Sequence, residues 1–197
     1  MGKKLIIKGA DFSVNGIHES VVYYATDEIG TTEASSFWSA NAKRVGYFNA
    51  DAQTEIQGKP INYVKVGVKS FGSGSSTFSN CCLWKYHTNT GEAEIVTNFS
   101  ITNADLNAGY KVIQFPQMTL SNTEELYVGF TEPVSDDLSC KYPLLFKYNH
   151  TLDADKKMSV LKFTNGTYSS EIPQTTEGTA GDIVVTYCRI KIEVGLL

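Results

Sequence analysis

The chain has 197 residues, a formal net charge of −4 and an apolar share of 42%, enough to bury one sizeable core. Its 17 lysines and arginines are scattered, so no basic stripe points to nucleic acid and no polybasic segment points to a membrane surface. No apolar run approaches the ~20 residues that span a bilayer, and membrane insertion is not expected.

The chain opens with MGKKLIIKGADFSVNGI. Leu5, Ile6 and Ile7 form an apolar run that Lys8 stops, far short of the roughly 7 to 15 apolar residues of a secretory leader. The run reads instead as a short strand. Gly9, Asp11, Ser13, Asn15 and Gly16 then supply turn and loop chemistry. The expectation is a protein without a signal peptide, made in a reducing cytoplasm. Residues 33–45, EASSFWSANAKRV, place Ala34, Phe37, Trp38, Ala42 and Val45 at a spacing that predicts a short amphipathic helix. Residues 1–58 therefore read as an N-terminal strand, a loop and a short helix, either an attachment arm or the edge of a sandwich.

From residue 59 the hydrophobic period becomes two. Val64, Val66 and Val68 share a face, with Lys65 and Lys69 opposite. TFSNCCLWKYH (77–87) and EIVTNFSI (94–101) follow, the latter setting Ile95, Phe99 and Ile101 on one side. TNADLNAG offers a helix cap at Thr102 and a stop at Gly109. YKVIQFPQM (110–118) alternates less cleanly, while Leu126, Val128 and Phe130 of ELYVGFT face one way. PLLFKY and MSVLKFT add two further strands. The closing run DIVVTYCRIKIEV sets Val184, Cys188, Ile190, Ile192 and Val194 inward and Arg189, Lys191 and Glu193 outward, in one long central strand. Alternation of this kind suits half-buried antiparallel strands. With Gly/Ser-rich connectors such as FGSGSST and TNTGEA, it predicts an all-β, antiparallel jelly-roll β-sandwich over residues 59–197.

Motifs for chemistry are sparse. Cys81, Cys82, Cys140 and Cys188 fit neither a C-x-x-C motif nor a clear disulfide framework, and they read as reduced residues. His18, His87 and His150 lack metal-ligand spacing. Asp153 and Asp155 resemble the start of a calcium loop, but the later glycine and glutamate are missing. Asp136 and Asp137 read as solvated neighbours. Sequons at Asn98, Asn149 and Asn165 read as chance occurrences in a Thr/Asn-rich chain. No catalytic residue, cofactor or metal site is assigned.

The aromatics carry more information. Trp84 and Tyr86 fall on one face of the second strand with Phe78, and Tyr63, Tyr127 and Tyr187 lie opposite the aliphatic rows. Exposed, such rings stack on sugar C–H faces. Covered, they are core residues or line an oligomer interface. Both readings stay open at this point.

The opening LIIKGADFSVNGI resembles a short N-terminal element of virion appendage proteins from tailed phages of gut Bacteroidales, including crAss-like phages. PINYVKVGVKSFGSGSSTFSNCCLWKY (60–86) and EELYVGFTEP (124–133) look like the jelly-roll domains of those proteins. The resemblance implies a non-enzymatic structural part of a virion, in a head or tail fibre, often a homotrimer, that contacts other virion proteins and a host-surface glycan. Leu5, Ile6, Ile7, Asp11 and Phe12 are then the docking segment. The rivals are a free carbohydrate-binding, lectin-like module and a glycan-active enzyme whose carboxylates are distant in sequence.

Overall fold

The computed structural model describes residues 20–26, 32–34, 44–68, 77–130, 144, 146–148, 158–164, 166–172 and 188–197. In chain order the elements are β1 (Val21–Ala25), β2 (Thr32–Ala34), β3 (Arg44–Asn49), α1 (Ala50–Ile56), β4 (Pro60–Gly67), β5 (Thr77–His87), β6 (Glu92–Thr102) and α2 (Asn103–Ala108). They continue with β7 (Tyr110–Thr119), β8 (Glu124–Phe130), β9 (Phe146–Tyr148), β10 (Met158–Thr164), β11 (Thr167–Glu171), β12 (Cys188–Ile190) and β13 (Ile192–Leu196). One sheet has the order β1-β13-β4-β7, the second β11-β10-β3-β8-β5-β6, and a small third β12-β9-β2. Every pairing between these strands is antiparallel. The protein is an all-β antiparallel sandwich.

A single core cluster draws on both large sheets. Val64, Val66, Ile192 and Val194 come from the four-stranded sheet, and Tyr47, Leu83, Leu126, Val128 and Val160 from the six-stranded one. Each of these side chains stabilises by about 1.5–3 kcal/mol on burial. The six-stranded sheet is also covered on its other face. Cys82, Trp84, Tyr86, Phe48, Tyr127 and Leu161 are buried there, and β11 curls back alongside β6. Tyr168 of β11 packs on Trp84 with ring centroids 5.4 Å apart.

Local chemistry fixes the turns and caps. Thr102 and Asp105 form a capping box at the start of α2, satisfying two N–H groups that the first helical turn leaves without partners. Gly109 ends the helix at φ 77, where its N–H donates to the carbonyls of Asp105 and Leu106. This matches the cap and stop expected from the sequence. The β5–β6 turn closes on Gly91, whose N–H donates to the His87 carbonyl at 2.9 Å.

Several expectations are corrected. The helix placed at 33–45 is contradicted at its two ends, since Thr32–Ala34 and Arg44–Asn49 are strands, while residues 35–43 lie outside the described residues; a helix follows at Ala50–Ile56. Residues 44–58 are no arm, because β3 lies between β10 and β8 inside the six-stranded sheet, while β1 is an edge strand on β13. The closing strand is not one long element. It breaks at Lys191 into β12 and β13, which belong to different sheets. The break carries Arg189 inward, to 4% exposure. Ile190, Ile192 and Val194 are buried as expected, and Val184 lies outside the described residues.

Bulges explain two further differences. Leu83 pairs with Thr97 but Trp84 pairs with Ile95, so Val96 is the extra residue on β6. One inserted residue exchanges the faces. Ile95 thereby leaves the side occupied by Phe99 and Ile101, and is exposed. A second bulge between Phe78 and Cys81 moves Phe78 off the Trp84 face.

Candidate functional site

The aromatic residues singled out from the sequence are interior residues. Tyr63 is 3% exposed, Trp84 and Tyr86 are each 6% exposed, and Tyr127 is fully buried. None of the four presents a flat ring to a sugar: Trp84, Tyr86 and Tyr127 are buried on β5 and β8, and Tyr63 of β4 is buried against β13. Trp84 and Tyr127 are direct cross-strand partners, and Tyr86 meets the Tyr127 ring edge-on at 6.4 Å. The Tyr127 hydroxyl donates to Glu125 Oε2 at 2.6 Å, and burial together with that carboxylate pushes its pKa up. Tyr63 lies across Gly195, where a Cβ would meet its ring at 2.9 Å, and donates to Glu193 at 3.0 Å. Tyr187 and the docking residues Leu5, Ile6, Ile7, Asp11 and Phe12 lie outside the described residues, as do Asp136, Asp137, Asp153, Asp155, His18 and His150.

Most polar groups near the core are committed to structure. Arg189 donates through Nη2 to Asp51 and to Tyr24. Burial raises the Asp51 pKa, with the guanidinium opposing the rise, and burial likewise raises that of the Tyr24 hydroxyl. Three amide side chains behave as short pieces of strand. Asn49 exchanges both bonds with the backbone of Ile190 (2.8 and 2.9 Å), Gln53 with Leu126 (2.6 and 2.9 Å), and Asn62 with Leu197 (2.8 and 3.4 Å). Cys81 and Cys82 are free, buried thiols. Burial pushes the Cys81 thiol up to about 12 and raises that of Cys82 as well, the reverse of what a nucleophilic cysteine needs.

Among the described residues, two of the surface pockets stand out. The first, of about 630 Å³, lies between α1 and the six-stranded sheet, with Asp51, Glu55, Glu125 and Glu171 on its walls and Tyr127 and Ser159 among its other lining residues. Its carboxylates are engaged: Asp51 with Arg189, Glu55 with Lys59, Glu171 with Lys162, and Glu125 with Tyr127. The second, of about 560 Å³, lies where β4, β7 and β13 meet α2 and is lined by Lys65, Gly67, Tyr110, Lys191 and Glu193 among others. Here Tyr110 is 44% exposed, and Lys65 Nζ sits over its ring, 4.8 Å from the centroid. Tyr110 was missed in the sequence because it opens a strand whose alternation is irregular. Its cross-strand partner is Gly67, over which the stem of Lys191 lies.

Among the described residues no group of three or more His, Cys, Asp or Glu side chains is placed to hold a metal, and no helix is long and apolar enough to cross a membrane. Compared with known proteins, the chain matches no family model, no curated protein and no solved structure.

Proposed function

We propose that the chain is a non-enzymatic structural component of a bacteriophage virion, part of a head or tail fibre, that makes assembly contacts with other virion proteins and presents a surface to host glycans. The strand order carries this reading. Without the small third sheet and the β10–β11 hairpin, eight strands remain: β1, β3, β4, β5, β6, β7, β8 and β13. In one sheet their order is first, eighth, third, sixth, and in the other it is second, seventh, fourth, fifth. That order supports a jelly roll, a fold used in capsid and lectin domains, and it agrees with the resemblance of the opening segment to phage appendage proteins.

Assembly as a homotrimer suits such a part, since closed symmetry repeats one contact surface. Mass spectrometry of purified particles tests the reading: the protein is expected among the virion components, and removal of residues 1–16 is expected to abolish incorporation while leaving the sandwich folded. Detection only in a secreted bacterial fraction overturns the proposal. The second reading, a free carbohydrate-binding module, is favoured by the exposed Tyr110 in a lined pocket.

A further inference from the structure

Among the described residues the two large sheets end in four edge strands, β1 and β7 in one, β11 and β6 in the other. Three of these edges are blunted in ways that discourage pairing with another chain. β1 is bulged between Val22 and Tyr24, and β6 is bulged at Val96 and carries the exposed Glu92 and Glu94. β11 curls alongside β6. β7 is different. From Tyr110 to Gln114 it pairs with β4 without interruption, and this stretch carries two exposed apolar residues, Tyr110 and Val112.

Two bonds fix the direction of its backbone groups. The Gly67 N–H donates to the Lys191 carbonyl, beside β13, whereas the Val68 N–H donates to the Gly109 carbonyl, beside β7. Neighbouring residues of a strand direct their backbone groups to opposite sides. Val64 and Val66 therefore bond to their partners Ile113 and Lys111. The N–H and C=O groups of Tyr110, Val112 and Gln114 then point away from β4, to the open edge. Beyond Gln114 the register with β4 shifts, and Pro116 has no N–H to offer, so the open run ends there.

We propose that this edge pairs with the same edge of a second copy, antiparallel about a two-fold axis through Val112. A two-fold contact must be self-complementary, and this stretch is. With Val112 opposite Val112, Tyr110 of each copy faces Gln114 of the other, and each pair exchanges both backbone bonds. No like charges meet, because Lys111 falls opposite Ile113 and is held by Asp105 at 3.2 Å. Sliding the register one way sets Pro116 against Tyr110, and sliding it the other way sets Gln114 against Ala108 of α2. Either slip loses bonds. Lys65 lies over the Tyr110 ring, and the pairing uses the backbone of Tyr110 and leaves that contact in place. The inference goes beyond the virion reading and does not depend on it.

Sedimentation of the intact protein over a range of concentrations tests this. An even-numbered species is expected, a dimer or a pair of trimers. Val112→Lys sets two ammonium groups against each other at the axis and is expected to weaken that association by more than about tenfold. Circular dichroism should not change, because the side chain is exposed. Val112→Cys is expected to form a disulfide between copies on mild oxidation. Only a residue on the axis meets itself, and the Cα atoms of a bonded pair lie about 5.5 Å apart, within disulfide reach. Thr119→Cys, at the far end of β7, should cross-link no more than the unaltered protein. A monomer at every concentration overturns the proposal. An unaltered protein that stops at trimers also overturns it, and leaves the three-fold assembly standing. Association lost in Val112→Lys without a cross-link in Val112→Cys sets β7 against a different surface and overturns the two-fold pairing.

Discussion

Arg189 sets its guanidinium between the Asp51 carboxylate and the Tyr24 hydroxyl and donates to both. The three groups come from β12, α1 and β1, so one side chain joins the last part of the chain to the first described strand. Asp51→Asn removes the charge partner of a cation that is 4% exposed, and it is expected to cost about 3–5 kcal/mol. The double variant Asp51→Leu, Arg189→Met is expected to be far milder, because Arg189 Nε already lacks a hydrogen-bond partner and the buried pair carries a desolvation cost. Urea denaturation of the three proteins measures the difference.

Gln53 continues the ladder where β3 has left it. β3 pairs with β8 at Gly46–Gly129 and Tyr47–Val128 and then turns into α1, and the Gln53 amide supplies both bonds to Leu126. Gln53→Ala leaves that buried backbone N–H and C=O unmatched, and a loss of about 2–4 kcal/mol is expected. In hydrogen exchange the Leu126 amide should lose protection in this variant more than amides on β4. Equal loss across both sheets would point to general destabilisation instead.

The α2 caps should behave independently of the core. Thr102→Ala removes the side chain that accepts from the Asp105 N–H and should cost about 1 kcal/mol. Gly109→Ala forces a Cβ into the left-handed conformation at φ 77, with a cost of about 1–2 kcal/mol. Thermal unfolding should register both changes while leaving the spectrum of the folded state unaltered.

Lys85 lies 2.6 Å from Glu94 and 3.5 Å from Glu124. Hydrogen bonding from Lys85 holds Glu94 below its usual pKa, and the Ser121 backbone N–H does the same for Glu124. Carboxylates depressed in the folded state stabilise above their ordinary value of 4.5, and this contribution is lost as pH falls through the folded values. Lys85, raised mainly by its hydrogen bond to Glu94, stabilises below 10.5, and its contribution is lost as pH rises through the higher folded value. Melting temperatures between about pH 5 and about pH 3 should fall more steeply for the native protein than for Lys85→Met. Parallel curves would exclude the network as a source of acid sensitivity.

The strands of the sandwich were legible where period two runs unbroken, as in Val64, Val66 and Val68, or Leu126 and Val128. Legibility stopped at the bulges. A single inserted residue, Val96, reverses inside and outside, and no residue type marks it. Arg189 was misplaced because a charge at an alternating position reads as outward, whereas the turn at Lys191 gives it a buried partner from another part of the chain. The helix of residues 50–56 escaped because its usual entry signal is diverted. Asn49 stands at the N-cap without a side-chain capping bond, its amide being engaged with Ile190. Asn165-Gly166 had a local signal that was read as a sequon. Asn165 lies outside the described residues, while Gly166 stands at φ 87 beside the Thr164–Thr167 pair that closes the β10–β11 hairpin. The candidate pocket was illegible because Lys65, Tyr110, Lys191 and Glu193 meet only through strand register.

Cys81 and Cys82 turn the sandwich into its own opening reporter. As neighbours on β5 they point to opposite faces of the sheet, and both are buried. Each face therefore holds a thiol that an alkylating reagent reaches only when that side comes apart. Pulse alkylation followed by peptide mass analysis separates the two histories. Equal labelling rates would mean that the sheet is released as one unit. Earlier labelling of Cys82 would mean that the curl around Trp84 loosens while the layer against the four-stranded sheet stays closed.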